Sequence, residues 1–552
     1  MGATTDDNAA GPASTPRPRP WQIVVAAKRE AQEAIVRSFR PLQGVQIDDE
    51  ITAIDTGITD ISDASTLAAA IAVSRWTAVA VTEAYIRRAI KAHEQTNCFT
   101  EIMFADAIAQ AQELDRHLAR TGKTLGPLHG LPVTLKDQFD VKDHDTTLGY
   151  VGRAFSPAQA DSTLVAILKS MGAVTLGKTN IPQSIMWCET DNPLFGLTTN
   201  PVHKDYTPGG STGGEAALLS CEGSMLGWGT DIGGSVRIPS HMMGLYGFKP
   251  SSGRLPYRGV QVSTDGQKHV PSSIGPMARS LDTIQMAMKA LIDAKPWQLD
   301  ARCMPIPWRQ DTYDAMLSRP LVIGVLMDDG VVRPHPPVTR VLEKAVEALR
   351  SIGHTIIEWD ASLHAEAIQV MDAYYTADGC EDIRRAVEAG GEPYIQHVER
   401  LIARGSAISV YEYWQLNKRK KAVQNAYLDK WQSKKVDVLL TPPMPHAAVP
   451  HGCCRWVGYT KVWNLLDYTA LVIPAGNVGE GESEELFAYG TPGERGELDD
   501  WNQKLWGEKG AEMAQLNLPV GVQIVGQRLE EEKVLAVGKV LDDLLRARRA
   551  CW

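Results

Sequence analysis

Ser235 follows two glycines in the run GTDIGGSVRIPS, residues 229–240. A serine hydroxyl attacks a carbonyl only with a base to take its proton and donors to hold the developing oxyanion. Asp231, Ile232, Gly233 and Gly234 supply successive backbone N–H groups with little bulk around them, and such a turn can aim two or more donors at one point. Taken alone, the segment reads equally as a tight turn. Lys136 ends the short apolar run Val133–Lys136. A lysine is a base only when burial keeps it neutral, and the end of a buried strand would do that. The competing reading is a surface lysine paired with Asp137. Ser211 stands in GGSTGG, residues 209–214. No lysine follows these glycines, so the loop is not a phosphate loop, and the dinucleotide pattern GxGxxG is absent from it. A serine between glycine pairs can bridge two other groups, or the loop is simply flexible.

The elements around these residues alternate. Residues 24–41, 77–94 and 104–121 carry helical composition or periodicity, and Thr77 is placed to cap the second. The apolar stretch 67–86 reads as two buried helices joined near Ser74–Thr77, since Arg75 and Glu83 interrupt it as a membrane span. The turn GPLHGLP precedes VTLK, a short β-branched run that reads as a buried strand. Residues 163–177 read as helix, glycine stop and strand, 321–330 as a strand, and 338–353 as an amphipathic helix. The last strand–helix pair falls within 518–541. This alternation predicts an α/β fold: one large, mixed, mostly parallel sheet with helices on both faces. Nine glycines crowd residues 207–235, against 47 in the whole chain of 552. Such density marks close backbone approach or unusual backbone angles. Residues 1–22 read as a flexible tail, and 23–552 as a single domain. Within it lie N-terminal helices over about 23–95, a core over about 125–260 and an acidic surface insertion over about 477–513.

Composition excludes several functions. The net charge of -10 argues against a general nucleic-acid binder. Thirteen histidines show no HxxxH or HExxH spacing, so no metal site is expected. The eight cysteines are sparse, and Cys453–Cys454 lacks ligand spacing, which suits a reduced, cytoplasmic protein. No cofactor motif and no transmembrane segment is found, and homodimerisation is left open.

Taken together, GGSTGGEAALLS, GTDIGGSVRIPS and PVTLKDQFD resemble the amidase signature family of Ser–cis-Ser–Lys hydrolases, with Ser235 lying 24 residues after Ser211. KTNIPQS, NPLFGLTTNP and YGFKPSSGRLP look like further family blocks. The resemblance runs from about residue 60 to about 545. It is nearest to fungal acetamidase-type general amidases and next to fatty-acid amide hydrolases. Thr212 departs from it, since many members carry a second serine there. The resemblance implies amide hydrolysis through an acyl-enzyme on Ser235, with Ser211 as relay and Lys136 as base. It implies an oxyanion hole from the N–H groups of Ile232, Gly233, Gly234 and Ser235, and a cis Gly210–Ser211 peptide. Thr230, Asp231 and Arg237 would then support the chemistry from behind, and Ile185, Met186 and Trp187 would line the acyl side of the pocket. Pocket shape is expected to come from 463–474 and 370–380. Two alternatives are an amidotransferase-type subunit acting with a partner, and a catalytically silent binding protein on the same scaffold.

Overall fold

The computed structural model describes residues 20–39, 51–479, 491 and 493–550. Most of the expected tail lies outside them. Its last residues do not, because Pro20 opens a helix, Pro20–Ser38. Proline suits a first helical position, where its missing N–H has no partner to lose. Three further helices follow among the described residues, Ala53–Thr59, Ala64–Ala72 and Ala78–Thr96. The expected break at Ser74–Thr77 is real. Thr77 caps the third of them by accepting from the Ala80 N–H.

Among the described residues, eleven strands form one sheet: β1 (Phe99–Ile102), β2 (Pro132–Lys136), β3 (Val174–Thr179), β4 (Leu226–Asp231), β5 (Tyr246–Lys249), β6 (Ser273–Ala278), β7 (Val322–Val325), β8 (Thr355–Glu358), β9 (Val438–Thr441), β10 (Ala470–Asn477) and β11 (Pro519–Val525). Their spatial order is β1-β3-β2-β4-β6-β5-β10-β11-β9-β7-β8. Every residue of β2 to β6 is buried. Successive side chains of a strand point to opposite faces, so both faces of this part of the sheet are covered.

The sheet is mixed, but it is not mostly parallel. Parallel pairing is confined to two flanks, β3-β2-β4 and β9-β7-β8. The other six neighbour pairs, including the whole centre, are antiparallel. Two of these six pairs come from intercalation. β4 and β5 run the same way across the helix Arg237–Met243, as alternation predicts, but β6 is laid between them in the opposite direction.

The expected acidic insertion also differs. Residues 480–490 and 492 lie outside the described residues. The stretch beyond them is a helix, Glu497–Gln515, that buries Leu505, Trp506 and Met513. Its second half therefore belongs to the core rather than the surface. No described helix is long and apolar enough to cross a membrane.

Candidate active site

Strands β2 and β4 are parallel neighbours, and both finish at the same edge of the sheet. Crevices beyond the carboxyl ends of such strands are where α/β sheets bind ligands. Lys136 is the last residue of β2, and Thr230 and Asp231 end β4. Ser211 precedes the helix Gly213–Ser220, and Ser235 precedes the helix Arg237–Met243. The Thr212 N–H donates to the Ser235 carbonyl at 3.2 Å, which ties the two glycine-rich segments together. The Gly210–Ser211 peptide is cis. Gly210 has no room for a side chain: a Cβ there would lie 2.8 Å from the Cys188 carbonyl carbon and the Glu189 nitrogen.

Lys136 is wholly buried, and its Nζ lies 2.6 Å from Ser211 Oγ and 3.1 Å from Thr230 Oγ1. No carboxylate pairs with it among the described residues. Burial lowers its pKa to about 7, against the opposing pull of Asp231 and Asp137. Half of the amine is therefore neutral near that pH. The hydrogen-bond directions follow. Gln138 Nε2 donates to the Gln261 carbonyl at 2.8 Å, so Gln138 Oε1 accepts from the Thr230 hydroxyl at 2.5 Å. Thr230 Oγ1 must then accept from Lys136. A neutral amine has one lone pair, and this arrangement leaves it for the Ser211 hydroxyl.

Asp231 shapes the turn that presents Ser235. Its carboxylate accepts from the N–H groups of Gly234 at 2.9 Å and Val236 at 3.1 Å, and from Arg237 Nε at 3.0 Å. Burial would raise its pKa, but the Arg237 charge and hydrogen bonds hold the carboxyl well below the usual range. Arg237 is itself satisfied by Thr460 O, Gln523 Oε1 and Asn464 Oδ1, at 3.0, 2.7 and 2.7 Å. An ion pair this buried is tolerable only when its remaining hydrogen-bonding capacity is met, as it is here.

This geometry alters one expectation. The Gly234 N–H is already committed to Asp231 and cannot also point at a substrate. Gly234 has φ 131, a value that favours glycine, and it serves the turn rather than the cavity. The N–H groups of Ile232, Gly233 and Ser235 have no acceptor among the described residues. Thr460 Oγ1 donates to the Gly233 carbonyl at 2.7 Å and Tyr375 to the Ile232 carbonyl at 3.2 Å, so both peptides are held from behind. The Ser235 hydroxyl makes no hydrogen bond among the described residues. Nucleophile–base contacts are often long without substrate and tighten when it binds.

Ser235, Gly210, Ile232 and Gly233 open onto a cavity of about 690 Å³. Ile185, Met186 and Trp187 are part of its lining. Ile185 has φ 61, which is uncommon for a β-branched residue. Its N–H donates to Pro182 O at 2.9 Å, and the preceding Ser184 N–H donates to Leu148 O at 3.0 Å. The lining also includes Asp372, Tyr375 and Thr376, within the expected 370–380 stretch. The other expected contributor, 463–474, is not there. Trp463 is buried and residues from Ala470 form β10; the cavity takes Arg455, Trp456, Val457 and Lys461 instead.

Several residues of the site escaped sequence reasoning. Gln138, Tyr375, Thr460, Asn464 and Gln523 are neutral, and each acts through hydrogen bonds to segments distant along the chain. Only Gln138 had a local signal, two residues beyond Lys136. Among the described residues, no group of three or more His, Cys, Asp or Glu is arranged to hold a metal.

The family model "Amidase" matches residues 80–535. Amidase 1 of Gibberella moniliformis is 51% identical over 535 residues, covering 96% of this chain and 100% of that one. An acetamidase of Emericella nidulans is 36% identical over 549 residues, covering 96% and 99%. Among solved structures, a fatty acid amide hydrolase superposes with a TM-score of 0.86 at 32% identity, covering 96% of this chain and 95% of that one. With the family model matched over residues 80–535 and both sequence and fold shared along nearly its whole length, this chain belongs to the amidase family.

Proposed function

We propose that the protein hydrolyses the C–N bond of a linear carboxylic amide, giving a carboxylate and ammonia or an amine. The observation that carries this reading is Lys136: fully buried, without a carboxylate partner among the described residues, and 2.6 Å from Ser211 Oγ. Ser235 Oγ bonds to the amide carbon while its proton passes to Ser211 and the Ser211 proton passes to Lys136. The oxyanion so formed accepts from the N–H groups of Ile232, Gly233 and Ser235. Each such donor is worth about 3 to 4 kcal/mol in the transition state. The C–N bond then breaks as the Lys136 proton returns through Ser211 to the leaving nitrogen. Water attacks the acyl-enzyme and gives its proton along the same route. The ester bond breaks, Ser235 regains a proton and the carboxylate leaves. The acetamidase relative supports a simple amide as substrate.

The test is a fluorophosphonate probe with peptide mapping, run beside hydrolysis of primary amides of rising acyl length by the purified chain. Label on Ser235 with turnover of at least one amide supports the reading. Label on another serine, or no turnover without a partner protein, overturns it.

A further inference from the structure

The cavity changes character with exposure. Its buried and half-buried lining is apolar at Ile185, Trp187, Ile232 and Ile238. Its exposed lining carries charge. His397, Arg400, Leu401 and Arg404 line it from the helix Gln396–Arg404. Their spacings of three, four and seven put them on one helix face. Arg455 lines it from a different segment.

Arg400, Arg404 and Arg455 are exposed, and none has an ion pair or hydrogen bond among the described residues. Arg455 is nevertheless held in place: its guanidinium lies 3.5 Å from the centre of the Trp501 ring. A stacked guanidinium keeps its in-plane N–H donors free for a planar acceptor. The other charges on the lining do not cancel these three. Lys461 is spent on Asp372 at 2.6 Å, which leaves Glu497 as the single acid against three arginines among the described lining residues. His397 adds nothing near neutrality, because burial and then the Arg400 charge lower its pKa to about 4. On a chain of net charge -10, a positive rim on this cavity is a local reversal of sign. Such a rim draws anions in and pairs with them.

We propose that the cavity selects amides that carry a carboxylate remote from the scissile bond, bound at the rim by Arg400, Arg404 and Arg455. This rests on the hydrolase reading above. Wild-type enzyme would be assayed with monoamides of dicarboxylic acids, from glutaric to sebacic, beside neutral alkanamides of equal length. The expected result is a preference of about tenfold or more in kcat/KM for the anionic series at its best length, the size of one well-formed contact to a charged group. Raising ionic strength to about 0.5 M should shrink that preference. In Arg400→Gln/Arg404→Gln/Arg455→Gln the anionic-to-neutral ratio should fall toward one. The three lysine replacements should retain part of it, and a thermal melt would show that each variant is folded. Equal or better turnover of neutral amides at every length, or an unchanged ratio in the triple glutamine variant, overturns the proposal while leaving the hydrolase reading standing. Turnover of neither series overturns the hydrolase reading as well.

Discussion

Lys136 Nζ and Ser211 Oγ lie 2.6 Å apart at the end of β2, and no acidic side chain competes for the amine among the described residues. Most buried lysines gain a carboxylate partner, which keeps them protonated. This one is instead left to a hydroxyl, and burial brings its pKa to about 7.

The first consequence is kinetic. Activity should follow the neutral fraction of Lys136, so kcat/KM should rise with pH through about 7 and level off above it. A profile measured from pH 5 to 9 checks this. A rate independent of pH across that range would remove Lys136 as the base. Chelator treatment should leave the rate unchanged.

The second concerns stability. Lys136 is protonated when unfolded up to about pH 10.5 and neutral in the fold above about 7. Between those values the unfolded state binds more protons, so this residue makes stability rise with pH. Lys136→Met should therefore raise the melting temperature at pH 7, and the gain should shrink as pH approaches 10. Less the two lost hydrogen bonds, the gain is on the order of 1 to 3 kcal/mol. The same variant should lose activity by orders of magnitude.

Ser235→Ala should abolish both turnover and probe labelling without changing the melt. Ser211→Ala should keep the Ser235 hydroxyl but slow acylation by about 10² to 10⁴. Pre-steady-state acylation distinguishes the two, because only the second variant still forms an acyl-enzyme.

Asp231→Asn tests the turn. It leaves Arg237 charged and buried without its partner, which should cost about 3 to 5 kcal/mol. Denaturant unfolding measures the loss. A cost below about 1 kcal/mol would mean that Arg237 and the turn do not depend on this carboxylate.

Glu215 supplies a contrasting pH effect. It is fully buried against Thr134 and Thr179, and burial pushes its pKa up to about 8. A carboxyl with a raised pKa contributes stability below its unfolded value of 4.5, and that contribution is lost as pH rises through 8. Glu215→Gln should thus be nearly neutral at pH 5 and stabilising at pH 8.5, which thermal melts at the two pH values would show.

What the chain disclosed beforehand was whatever sits in short contiguous motifs. Ser235, Ser211 and Lys136 each stand inside one: Lys136 ends a strand, Ser235 stands in the turn after one, and Ser211 in the bend that opens a helix. The direction of β6 was not legible, because a helix–strand alternation says nothing about a later strand laid between two earlier ones. The Gly234 N–H was misassigned, although a signal existed: Asp231 stands three residues before it, the spacing at which an Asp side chain caps a turn. Thr460 and Asn464 had no such signal. Their roles exist only through contacts more than 220 residues away along the chain.

Glu215 has one more consequence. Four residues after Ser211, it fastens the helix Gly213–Ser220 to β2 through Thr134 and to β3 through Thr179. Ser211 therefore cannot drift from Lys136 unless helix and sheet part company. The bond-breaking apparatus is bolted to the chassis, whereas the rim arginines sit on a separate helix and loop. Substrate scope is then free to change by retooling the rim, with the apparatus behind it left untouched.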